Sequence, residues 1–181
     1  MSARVGVELD LWEAVAGGAA AESPLWAESL LPEEERVLEP VFSTLGAPEQ
    51  VLGLETIYEG YLVHYGRSRL FTSPEADAAL LLGDYLYAHG LVHVAALGDV
   101  AAVRDLAELI SLCAQVRADG REGDAEAWAA TAALLGTETL GVAREALRLD
   151  GDPGLLERAA RAAAGDAAVD AAMAAHARLL G

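Results

Sequence analysis

The sequence predicts an all-α fold, a single helical bundle, on three observations. Apolar residues recur at three- and four-residue spacing through most of its length. β signals are nearly absent, with two isoleucines in 181 residues and no alternating Val/Thr-rich runs. Glycine and proline stand where helices end and begin. We read residues 1–181 as one domain: an N-terminal helix and loop (1–30), a core bundle (31–150) and alanine-rich C-terminal helices (151–181).

The elements follow in order. A first helix around Val5 to Ala16 is expected to stop at a loop carrying Gly17, Gly18, Ser23 and Pro24. "LPEEERVLEPVFSTLG" is expected to be helical, with Pro32 at its first position, three glutamates at the positive end of its dipole and Gly46 closing it. "APEQVLGLETIYEGYLVHYG" repeats that grammar between Pro48 and Gly66; its Val51, Leu54, Tyr58, Tyr61, Leu62 and Tyr65 form an apolar stripe. The paired Glu55 and Glu59 on this helix read as a solvated face, and "RSRLFT" as a polar turn.

Ser73 and Pro74 then fit the cap and first position of a long helix running to Gly98. Asp99 opens the next, where Val103, Leu106, Leu109, Ile110, Cys113 and Val116 line one side and Arg104, Asp105, Glu108 and Arg117 are expected outside. Asp124 opens another, eased near Gly136 to Gly141, and two alanine-rich helices finish the chain.

Composition excludes several function classes. A net charge of −17, with 29 acidic against 12 basic residues, argues against nucleic acid or an anionic membrane as partner. Every basic residue is arginine. One cysteine, Cys113, allows no disulfide framework and no cysteine-based zinc site, and core packing is its expected role. Glu8, Asp10 and Glu13 interrupt any leader-like apolar run, so a cytoplasmic protein is expected. There is no G-x-S-x-G, P-loop or G-x-G-x-x-G.

The most apolar stretch, "LLLGDYLYAHGLVHVAALGD", poses the sharpest question. Ala78 to Leu97 is long enough to cross a bilayer, yet Asp84 at its centre would cost about 2.5–3.5 kcal/mol there and its flanks are acidic. A helix apolar on all sides is therefore expected to be central and buried. Asp84 lies about 140° from His89 and 180° from His93 around the axis, so it cannot pair with either. It needs an arginine or a helix N-terminus from elsewhere. His89 and His93 share a face, which could supply two metal positions, but no H-E-x-x-H or Glu-x-x-His accompanies them. No metal or cofactor is expected.

These residues also carry a resemblance. "ALLLGDYLYAHGLVHVAALGD" followed by "VRDLAELISLC" resembles a segment of the trans-polyprenyl diphosphate synthases, which have the all-helical isoprenoid synthase fold. "YEGYLVHYG" is similar to the helix end that reads "LvHDDxxD" in that family, and "EAWAATAALLGTETLGVA" to a later helix. The resemblance spans about residues 50 to 145 and implies a truncated version of that fold. It also implies what is missing: Tyr65 and Gly66 stand where the family has paired aspartates, and no second aspartate-rich motif follows. Without magnesium-binding aspartates or lysines, nothing clamps a departing diphosphate, and metal-dependent prenyl transfer is not expected.

The functional expectation is a non-catalytic, degenerate relative that serves isoprenoid biosynthesis as a regulatory or partner subunit, either a homodimer or a heterodimer with a catalytic prenyl diphosphate synthase. One alternative is a stand-alone binder of an apolar isoprenoid or quinone-type ligand. Another is an enzyme of different, metal-independent chemistry, with Asp84, His64 or His89 as acid or base. In each case the pocket or interface is expected to gather Tyr58, Tyr61, His64, Tyr65, Asp84, Tyr85, His89 and His93.

Overall fold

The computed structural model describes residues 2–72 and 75–180, with side chains from Leu11 onward. The expected cap at Ser73 and Pro74 lies outside these residues. Nine α-helices form among the described residues: α1 (Ser2–Glu22), α2 (Pro24–Glu28), α3 (Val51–Tyr65), α4 (Ala76–Ala95), α5 (Val100–Ala118), α6 (Asp124–Ala133), α7 (Gly141–Asp150), α8 (Gly154–Ala164) and α9 (Asp166–Leu180). Among the described residues there is no strand, only an isolated bridge between Leu30 and Phe71. The all-α class stands. No described helix is long and apolar enough to cross a membrane.

Two expected elements differ. α1 passes through Gly17 and Gly18 instead of stopping there, and Ala19 beyond them is buried with Trp12, Val15 and Ala16. A glycine inside a helix costs only about 1 kcal/mol, so two of them weaken this helix without ending it. The chain turns at Ser23, whose hydroxyl accepts from the Leu25 N–H ahead of α2. Residues 32–46, expected as one helix, hold two short 3₁₀ turns, Glu33–Glu35 and Phe42–Leu45, with extended chain between them. Pro40 is the local reason, since it removes a helical N–H and keeps Glu39 out of the α region. The tertiary reason is that the Val41 and Ser43 N–H groups donate to Glu55, at 3.1 and 3.4 Å.

α3 and α4 form an antiparallel hairpin with unusually close backbones. Two glycines seven residues apart on each helix make the seam: Gly53 faces Gly90, and Gly60 faces Gly83. A Cβ on Gly53 would sit 3.1 Å from the Gly90 carbonyl oxygen, and one on Gly60 would sit 2.9 Å from that of Gly83. Only hydrogen fits.

The hairpin inverts the expected burial. α4 lies at the periphery: Leu82, Gly83, Leu86, Gly90 and Val94 are buried, but Leu80, Leu81 and Val92 are 54%, 60% and 63% exposed. The central rod is α3, in which every residue from Gly53 to Leu62 is buried. Two apolar cores adjoin it. The smaller joins Trp12, Val15, Ala16 and Ala19 of α1 to Leu70, Phe71, Leu82 and Leu86. The larger runs from α3 through α5 and α6 to the C-terminal helices, where Leu156, Ala160, Val169, Ala172 and Leu179 are buried. The alanine-rich tail thus docks on this chain, and Cys113 is a core residue.

Candidate functional site

The most organised chemistry lies beside α3, in a line of buried polar groups that sequence reasoning placed in solvent or overlooked. Glu55 and Glu59 do not form a solvated face; both are fully buried. The chain leaving α3 turns back at Gly66 and delivers Arg69, also fully buried, between them. Arg69 Nη1 donates to Glu55 Oε2 at 2.6 Å and Nε donates to Glu59 Oε2 at 2.8 Å. The second oxygen of each carboxylate takes backbone donors: Val41 and Ser43 for Glu55, Arg69 and Leu70 for Glu59. Trp12 and Tyr58 flank the guanidinium at 4.5 and 5.0 Å from their ring centres. A stripped charge here would be severely unfavourable, and this packing gives each one a hydrogen-bonded partner.

Tyr58 carries the line onward. Its hydroxyl meets His176 Nδ1 of α9 at 2.8 Å. His176 Nε2 lies 3.8 Å from Asp124 Oδ2, outside hydrogen-bond reach, and has no hydrogen-bond partner among the described residues. Asp124, the first residue of α6, accepts from the Tyr61 hydroxyl and from Arg117 of α5. Arg117 also donates to the Tyr61 oxygen, at 2.7 Å. Burial alone would raise the Asp124 carboxyl; the neighbouring His176, the Tyr61 hydroxyl and the Arg117 charge more than reverse this and hold it far below the usual carboxylate range. Burial pushes the Tyr58 and Tyr61 phenols far upward, so both stay protonated donors.

Tyr58, His176 and Asp124 follow the order of an acid–base relay, yet all three are buried and the surrounding space is filled. Phe42, Tyr61 and Trp128 pack on Tyr58, with centroid distances of 5.3, 5.9 and 5.0 Å. The arrangement locks α3, α5, α6 and α9 together. His176 was missed as a core residue, although the buried set Val169, Ala172, His176 and Leu179 recurs at helical spacing.

The eight residues expected at one site fall in three places. Tyr58 and Tyr61 are in the core, with Tyr65 half-buried at its edge, 5.2 Å from the Tyr61 ring. His64 and Asp84 meet at the end of the hairpin, Nε2 to Oδ1 at 3.3 Å. Asp84 is therefore neither buried nor paired with arginine: its side chain is 65% exposed, since α4 turns that face to solvent. Burial holds His64 below its ordinary value although Asp84 acts to raise it. Tyr85 and His89 lie along the α1–α4 seam, where the Tyr85 hydroxyl donates to the Gly18 carbonyl at 3.0 Å, and the His93 ring packs on that of His89.

Asp105, expected outside, is buried and accepts from Arg144 Nη1 at 2.8 Å. This pair borders an α5–α7 cleft of about 290 Å³, whose other charges are matched as Arg104 with Glu138 and Arg148 with Glu108. Among the described residues no three metal-ligating side chains gather. Comparison of the chain with protein-family models, with curated proteins and with solved structures finds no match.

Proposed function

We propose that the chain is a non-catalytic partner subunit that docks a catalytic prenyl diphosphate synthase through the outer face of α4. The observation that carries this reading is the exposed apolar side chains of that face, where Leu80, Leu81 and Val92 are each more than half exposed, with the exposed Asp84 among them. Small residues continue it, Ala88 and Ala95 being exposed on the same side, so a second helix can approach closely. The choice of partner rests on the resemblance of residues 50–145 to that enzyme family.

A supporting rather than catalytic role agrees with the charges. Tyr65 and Gly66 replace the aspartate pair, and the buried Arg69 is already neutralised by two glutamates. Its guanidinium has no free edge for a diphosphate. The stand-alone binder finds less support, because Tyr58, Tyr61, Phe42 and Trp128 occupy the interior beside α3.

Size-exclusion chromatography with light scattering tests the reading, using this chain mixed with the prenyl diphosphate synthase of the same cell. A stoichiometric complex is expected, lost in a Leu81→Glu, Val92→Glu variant that keeps its helical circular dichroism. Absence of a complex at tens of micromolar, or one indifferent to those substitutions, overturns it.

A further inference from the structure

The seam between α1 and α4 holds a feature that the partner role does not use. His89 and His93, one turn apart, bring their rings edge to face with centroids 4.5 Å apart. Neither ring has a hydrogen-bond or ion-pair partner among the described residues, although both are half-buried.

One helical turn is the spacing at which two imidazoles on the same face can reach one cation. The His89 ring is also held in place: Tyr85 stacks on it at 5.2 Å, and Tyr85 is in turn packed on Trp26 at 4.5 Å. Room is kept beside it, because a Cβ on Gly18 of α1 would come within 3.1 Å of His89 Nε2. The net charge of −17 raises the local concentration of cations.

We infer that His89 and His93 form a two-histidine site for a borderline divalent transition cation such as Zn²⁺ or Ni²⁺, with water completing its coordination. Imidazole nitrogen selects such ions over Mg²⁺ or Ca²⁺.

The test is isothermal titration of the full chain with Ni²⁺ and with Zn²⁺ in moderate salt, against Mg²⁺, alongside imidazole proton NMR. One equivalent is expected to bind, with Ni²⁺ selectively broadening the His89 and His93 ring signals. His89→Gln and His93→Gln should each weaken binding at least tenfold, while His64→Gln leaves it unchanged; circular dichroism confirms that each variant is folded. Binding no tighter than that of Mg²⁺, or Ni²⁺ affinity retained in both histidine variants, overturns the site. Either result is independent of whether a synthase partner binds.

Discussion

α3 and α4 are neighbours of similar length, and each is buried in the opposite sense to what its composition suggests. α3 carries two glutamates and three tyrosines and is sealed from Gly53 to Leu62. α4, which carries a longer apolar run, leaves Leu80, Leu81 and Val92 in solvent. The difference lies in what each helix meets. Arg69, four backbone N–H groups and two aromatic faces surround the α3 carboxylates, so their burial is compensated. α4 packs on α3, α5 and α1, and no described element covers Leu80, Leu81 and Val92. Hydropathy ranks what a segment tolerates, while neighbours decide what becomes of it.

The comparison is broken most sharply at Arg69. Arg69→Met strands two buried carboxylates and should remove about 3–5 kcal/mol, read as a lower urea midpoint. Adding Glu55→Gln and Glu59→Gln should restore most of that loss; a triple variant no more stable than the single would show that the network is not what secures α3.

The glycine seam comes next. A Cβ at Gly90 would lie 2.4 Å from Ile57 Cγ1 and 2.8 Å from the Gly53 carbonyl oxygen, so Gly90→Ala should cost about 1–3 kcal/mol. Gly17→Ala in α1, where nothing lies within 4 Å, should instead gain up to about 1 kcal/mol. Urea titrations of the two variants should move in opposite directions.

Tyr58→Phe removes the donor facing His176 Nδ1 and leaves a buried acceptor unmatched, for about 1–3 kcal/mol. Acidification is a gentler probe. His64 and His93 have folded-state values below the unfolded 6.5, so the unfolded chain takes up protons first. Their stabilising contribution is complete above that value and is lost as pH falls through it. Asp124 behaves likewise below its unfolded value of 3.8. Stability should therefore decline below about pH 6.5 and again below about pH 4, with His64→Gln flattening the first step in a pH series of thermal melts. The smallest effect belongs to the outer face of α4: Leu81→Gln and Val92→Gln should shift monomer stability by no more than about 0.5 kcal/mol, which separates a docking surface from a core one.

Much of the fold was legible in the residues. Helix boundaries at Pro48, Gly66, Asp99 and Asp124 follow from caps and first-turn residues, because these signals act within a few positions of the chain. The stripe of α5 and the core role of Cys113 were legible for the same reason. Residues 32–46 misled because three glutamates and Pro32 are good helix openers, while the competing acceptor, Glu55, lies on another element. The grouping of eight residues into one site failed on rotation: Tyr58 and Tyr61 face α6 and α9, whereas Tyr85 and His89 face α1.

By itself the sequence determined the all-α class, the order of most helices and the lack of an aspartate pair after His64, since periodicity, punctuation and residue identity are local properties. Only the tertiary structure decided that α3 is the central rod, that Glu55 and Glu59 are buried and that Asp84 reaches solvent. Those outcomes depend on Arg69, His176 and the facing glycines of two helices. Their contacts arise between residues far apart in the chain, where no local pattern records which groups will meet.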